Sequence, residues 1–154
     1  MLGSTRKWLS LALSVALAWP VAAGEEQIPF EWIRQPDAIL VRATVNGKSV
    51  HLILDTGATF TMLGPEVLGK ASVPLKPSQF SIDGPGMIGE ARFVEVKFQI
   101  AAKQWRNRIV LLKNFEQVSR AYGRRIDGIL GQDILSEFDR VSIDFRNRKI
   151  ILTD

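Results

Sequence analysis

The 154-residue chain predicts an all-β domain, a barrel or sandwich. Three observations carry that reading. About seven short apolar segments are spaced along it, with turn residues roughly every ten positions. Several of those segments alternate with period two, as half-buried strands do. No long stretch keeps a helical period, and no block repeats at a solenoid spacing. The length suits one domain rather than two.

Taken in order, residues 24–37 ("GEEQIPFEWIRQPD") are polar with isolated apolar anchors and read as an extended N-terminal arm. The domain proper is expected over 38–154. Ile39 to Val45 and Val50 to Leu54 form a hairpin about Asn46-Gly47, the dipeptide that best tolerates two positive φ angles. Pro65 opens a short helix that Gly69 closes. "SVPLKPSQF" is extended, because its prolines exclude a long helix. Ser78 to Ile100 is strand, turn, strand, the second arm alternating strictly from Glu95. "AAKQWRNRIVLL" is a turn and a strand, and "KNFEQVSRAYGRR" a loop or a short helical turn. "IDGILGQDILSEF" starts as a buried strand at Ile129 and Leu130, turns at Gly131 and continues as a short helix. Val141 to Phe145 and Lys149 to Leu152 are strands around a turn at Arg146 to Arg148.

Residues 1–23 stand apart. Arg6 and Lys7 precede the apolar run "WLSLALSVALAW", and small residues around Ala23 follow. This is the pattern of a secretory signal peptide cleaved after Ala23, and the run is short of the ~20 residues that span a bilayer. The expected location is the periplasm or the exterior. The alternative is an uncleaved anchor facing the periplasm, the only case in which a membrane would be a partner.

Composition excludes several chemistries. There is no cysteine, hence no thiol nucleophile, zinc-thiolate site or iron–sulfur cluster. The single histidine, His51, lies inside a strand and reads as a strand residue; alone it cannot build a multi-histidine metal site. The net charge of +4 falls to +2 without Arg6 and Lys7. The basic runs "KQWRNR" and "RNRK" read as solvated turns, so no nucleic-acid partner is expected. No metal or other cofactor is expected.

The stretch that asks for an explanation is "LILDTGATF", in which three aliphatic residues run into Asp55. Locally, an aspartate before Thr56 and Gly57 suits a turn whose backbone N–H groups the carboxylate accepts. Metal binding has no second ligand nearby. Two further features bear on it: "DGILG" at Asp127 to Gly131, roughly 70 residues downstream, and a glycine-rich segment between the two.

Together these motifs resemble the retropepsin-like family of aspartic proteases, especially its small single-domain bacterial members, over about Ala38 to Leu152. The resemblance implies a retropepsin-like acid-protease barrel with a short C-terminal helix. It implies Asp55 as the catalytic carboxylate, with Thr56, Gly57 and Ala58 supporting its loop. The hairpin at Asp83, Gly84, Pro85, Gly86, Met87, Ile88 and Gly89 corresponds to the flap that closes over substrate. Ile129, Leu130 and Gly131 correspond to the segment packed behind the catalytic loop. Two carboxylates are needed and the chain has one Asp-Thr-Gly; Asp127 and Asp133 do not match the triplet. The family's resolution is a homodimer that joins Asp55 to its copy, acting on a polypeptide substrate.

This chain departs from the viral members in two places. Thr59 and Phe60 stand where those enzymes have acidic residues. Gln132 follows Gly131 where they have a dimer-stabilising arginine, so that ion-pair network is expected to be missing. The viral enzymes also interleave their chain termini in the dimer. These departures keep open an alternative, an inactive peptide-binding or scaffold module of the same fold.

Overall fold

The computed structural model describes residues 24–68, the backbone of 73–74 and residues 92–154. In chain order the elements are β1 (Glu25–Arg34), β2 (Asp37–Val45), β3 (Lys48–Leu54), β4 (Met62–Leu63), α1 (Pro65–Leu68), β5 (Val73–Pro74), β6 (Phe93–Ile100), β7 (Lys103–Leu112), α2 (Glu116–Ala121), β8 (Gly128–Leu130), α3 (Gln132–Leu135), β9 (Arg140–Asp144) and β10 (Lys149–Thr153).

The expected all-β class holds, and the architecture is a barrel rather than a sandwich. Strands β6, β7, β4, β8, β3 and β2 are neighbours in that order. The sheet closes because β2 also pairs with β6, at Thr44↔Gln99 and Val45↔Phe98. Closure removes free strand edges from the barrel itself. Outside it, β5 adds to β6, and β1, β10 and β9 continue from β2. Alternate residues fill the interior: Val41, Val45, Val50 and Leu52 from the first hairpin, Val96 and Phe98 from β6, Leu130 from β8, all at most 2% exposed.

Asn46 and Gly47 have φ of 49° and 81°, the left-handed pair that the hairpin turn requires. Asn46 does more than turn the chain. Its side chain donates to the Leu68 carbonyl at 3.1 Å and accepts from the Lys97 N–H at 2.9 Å, tying the hairpin to α1 and β6. Asparagine at that turn therefore has a tertiary role that Gly-Gly would lack.

Three elements differ from the sequence expectation. The N-terminal arm is strand β1, paired with β10 at its start and with β2 at its end. The "KQWRNR" run lies within β7 and not in a turn. Its Trp105 packs at 5.9 Å from Phe98 and 6.5 Å from Phe138, which places an aromatic anchor among charges that looked solvated. Strand β4 is two residues long, too short for any periodicity to announce it. Residues 1–23 and the whole flap candidate, Asp83 to Gly89, lie outside the described residues. Among the described residues no helix is long and apolar enough to cross a membrane.

Candidate active site

The aliphatic run before Asp55 is the anchor of the site. Leu52, Ile53 and Leu54 pair in parallel with Gly128, Ile129 and Leu130. Leu52 and Leu130 are buried, so the ladder is fixed at the centre of the barrel. The Asp55 N–H donates to the Leu130 carbonyl at 3.1 Å, carrying the ladder one residue past the strand. There the chain bends: the Gly57 N–H donates to Asp55 Oδ1 at 2.8 Å, and the Ala58 N–H to the Asp55 carbonyl at 3.3 Å. The turn role and a chemical role are therefore compatible. One carboxylate oxygen orients the group; the other makes no hydrogen bond to a described residue. Asp55 is half-buried, Ala58 is buried, and Thr56, Gly57 and Thr59 are exposed.

Gly131 lies directly behind this loop. A Cβ there would stand 2.6 Å and 2.7 Å from the Phe60 carbonyl carbon and oxygen and 2.9 Å from the Ala58 carbonyl oxygen. Only glycine lets the two backbones approach so closely. Gly128 is as constrained, since a Cβ would come within 2.1 Å of the Met62 carbonyl oxygen. Beyond Gly131, α3 grips the loop through its first residues. The N–H groups of Gln132 and Asp133 donate to the carbonyls of Ala58 and Thr59, at 2.8 Å and 3.2 Å. The Gln132 side chain donates to the Thr56 carbonyl at 3.0 Å.

Sequence reasoning missed Thr61, Asp133 and Arg108 as parts of this support. Thr61 is fully buried, and its N–H and hydroxyl both donate to Asp133 Oδ1 at 2.7 Å. The Thr61 hydroxyl oxygen accepts from the Gly131 N–H at 3.1 Å, which satisfies it as donor and acceptor. Asp133 is in turn held by Arg108 of β7, which contacts its carbonyl and lies 3.4 Å from its Oδ2. Arg108 also pairs with Glu137 Oε1 at 2.5 Å. An ion-pair network within the chain therefore stands behind the loop, centred on Arg108 and Asp133. The only sequence hint is Asp133 two residues after Gly131; Arg108 is too distant in sequence to be paired with it by pattern.

Arg108 and Asp133 are 17% and 15% exposed, so removing the arginine strands a largely desolvated carboxylate. Arg108→Ala is expected to cost about 2 kcal/mol, below the roughly 3–5 kcal/mol of a fully buried pair because some water still reaches it. Urea unfolding would measure it, and a loss under ~0.5 kcal/mol would show that the loop does not depend on this pair.

The other two aspartates considered as partners for Asp55 are engaged elsewhere. Asp127 is 1% exposed and accepts from the His51 N–H at 2.8 Å and from Arg125 Nε at 2.5 Å. Its own N–H donates to the His51 carbonyl, and its carbonyl accepts from Gly64. It is a splint between β3 and the entry to β8. His51 Nδ1 lies 3.6 Å from the same carboxylate, on the strand as expected. Among the described residues no group of three or more His, Asp or Glu side chains is placed to hold a metal ion.

Comparison with known proteins agrees with this geometry. Residues 41–134, from β2 through α3, match the model of a family described as aspartyl protease. The span includes Asp55 and Gly131. Among solved structures the chain is similar to a retropepsin-like aspartic protease from Rickettsia conorii, at 20% identity and a TM-score of 0.59, over 87% of this chain and 94% of that one. It is also similar to edgp, at 11% identity and a TM-score of 0.62, over 88% of this chain and 48% of that one. No curated protein matches the chain. The barrel, the loop at Asp55 and the family match over most of the barrel agree: the chain belongs to the aspartyl protease family.

Proposed function

We propose that the protein is an aspartic endopeptidase that hydrolyses polypeptides as a homodimer. The observation that carries this is the setting of Asp55, a half-buried carboxylate at the end of a buried parallel ladder, oriented by the Gly57 N–H and free at its second oxygen toward described residues. One chain supplies one such group. Two copies brought together at a two-fold axis cannot both ionise fully, and they share a proton. The ionised member takes a proton from water, whose oxygen attacks the scissile carbonyl carbon. The protonated member hydrogen-bonds the carbonyl oxygen. The tetrahedral gem-diol then collapses: the C–N bond breaks, the nitrogen takes a proton, and acid and amine products leave. The protonation steps belong to the pair, not to either copy.

In this reading Thr56 makes the hydrogen bonds between the two loops, and exposed Gly57 leaves room for their approach. An extended peptide binds as an added strand with side chains in alternating pockets. The segment Asp83 to Gly89 covers it, and its glycines permit opening. Residues 1–23 export the chain to the periplasm or beyond, or hold it at the inner membrane.

The test is cleavage of a mixed peptide library from about pH 3 to 7, at several protein concentrations. A homodimeric enzyme gives activity that rises faster than linearly with protein near the dissociation constant. Peptide binding without cleavage at any pH would instead support the inactive module. Cleavage by a chain that stays monomeric in sedimentation would remove the paired-carboxylate mechanism.

Acidic conditions carry a structural cost with a definite sign. The indole N–H of Trp105, and then Arg108, hold the Glu137 carboxyl below its ordinary 4.5. A hydrogen bond from Arg124 holds Glu31 down likewise. A lowered folded pKa gives stability that is complete above the ordinary value and is lost as pH falls through the folded one. Thermal midpoints are therefore expected to fall below about pH 4.5 as these groups protonate. Both carboxylates are solvent-facing, so the fall is modest; Glu137→Gln should flatten part of it, and an unchanged profile would contradict the assignment.

A further inference from the structure

The sheet that leaves the barrel ends on β9. This strand pairs with β10 on one side and, among the described residues, with nothing on the other. Edge strands of monomers are usually blunted by charges, prolines or bulges. Here β9 carries Ile143, 36% exposed, and runs into Phe145, 48% exposed. Phe145 lies 5.9 Å from Phe30 and 5.3 Å from Trp32. The register Ile28↔Ile150↔Ile143 places Ile143 on the same face as two buried isoleucines, and Val141 stands beside buried Leu152 on that face. The core face of the sheet thus runs out to the edge strand and stops in solvent.

The strand Arg140-Val141-Ser142-Ile143-Asp144 is complementary to itself when read antiparallel. Two copies related by an axis normal to the sheet keep each side chain on its own face, so the register must be centred on a residue. Centred on Ser142, Arg140 stands opposite the partner's Asp144, and Val141 opposite the partner's Ile143. Centred on Ile143, Arg140 would face the partner's Arg146; centred on Val141, Ile143 would face the partner's Asp139. Only the first register pairs opposite charges on one face and apolar residues on the other. Residues Glu25 to Pro29 and Lys149 to Thr153 already pair with each other within the chain.

We propose that β9 pairs antiparallel with β9 of a second copy about Ser142, forming a six-stranded sheet across the dimer. This pairing, in place of interleaved termini, joins the two chains whose Asp55 carboxylates must meet. The inference rests on the homodimer reading above and names the surface that builds it.

The chain has no cysteine, so Ser142→Cys introduces its only thiol. Residues directly opposite in an antiparallel ladder have Cα atoms about 4.5–5.5 Å apart, within disulfide range. Mild oxidation of Ser142→Cys is expected to give a covalent dimer that still cleaves peptide, whereas Ser49→Cys, exposed on the β2–β3 hairpin, gives none. A charge exchange checks the register. Arg140→Glu and Asp144→Arg should each raise the dimer dissociation constant about tenfold, by setting like charges opposite at two symmetric places. An equimolar mixture restores both pairs and should return the constant close to that of the unaltered chain. A dimer whose Ser142→Cys form does not cross-link, or whose charge variants associate no better mixed than alone, overturns this surface and leaves the homodimer reading standing. A native chain that is monomeric at all working concentrations overturns both.

Discussion

Asp55→Asn is expected to lower peptide cleavage by at least ~10³-fold, within the range that a lost acid–base group commands. The amide keeps the geometry: its oxygen can still accept from the Gly57 N–H, and the backbone bond to Leu130 does not involve the side chain. What it loses is the ability to take a proton, and in a homodimer the substitution removes both carboxylates at once. Stability should change by less than about 1 kcal/mol, since the group is half-buried and its bond from the Gly57 N–H survives. Peptide cleavage and a thermal midpoint measured side by side check both halves. An asparagine form that retains more than a tenth of the activity would move the chemistry to another residue.

The second large effect is expected at Gly131. Gly131→Ala drives a Cβ against three backbone atoms of the catalytic loop, at 2.6, 2.7 and 2.9 Å. None is the end of a flexible side chain, so the loop or α3 has to move. Overpacking of this kind costs typically 1–3 kcal/mol, and about 3 kcal/mol is expected where the neighbours are all backbone. Activity should fall further than the population of folded protein explains. The carbonyl groups of Ala58 and Phe60 are displaced, and both residues follow Asp55 in the same loop; a misplacement near 1 Å costs on the order of 10²-fold in rate. Comparing activity per folded molecule with urea unfolding separates the two losses. A Gly131→Ala chain as stable as the original would mean that the packing behind the loop is looser than these distances require.

The contrast between Gly131 and Arg108 shows which parts of the site are legible in a sequence. Gly131 stands out because an aliphatic pair running into glycine is a local pattern, and the close approach it permits follows from having no Cβ. Arg108 stands among other basic residues in a run that looks like a solvated turn. Its value comes from lying on β7 opposite α3, and nothing within ten residues of it says so. Thr61 and Asp133 are 72 positions apart, yet their hydrogen bond fixes the far end of the catalytic loop. Strand β1 hides for a related reason. Its Ile28, Phe30 and Trp32 do alternate, but Pro29 among them argues against a paired strand, and only β10 and β2 supply the partners that make it one.

Local chemistry alone determined the strand-rich class, the Asn46-Gly47 turn, the aliphatic run into Asp55 and the glycine behind it. Each rests on a backbone preference or a side-chain period that acts within a few residues. Closure of the sheet through β2 and β6, the parallel ladder joining Leu52 to Gly128 and the Arg108–Asp133–Thr61 support were decided only in the tertiary structure. Those pairings join segments far apart in the chain. Their energy is realised only when the barrel closes and takes both partners out of water, and no local period encodes which partner that will be.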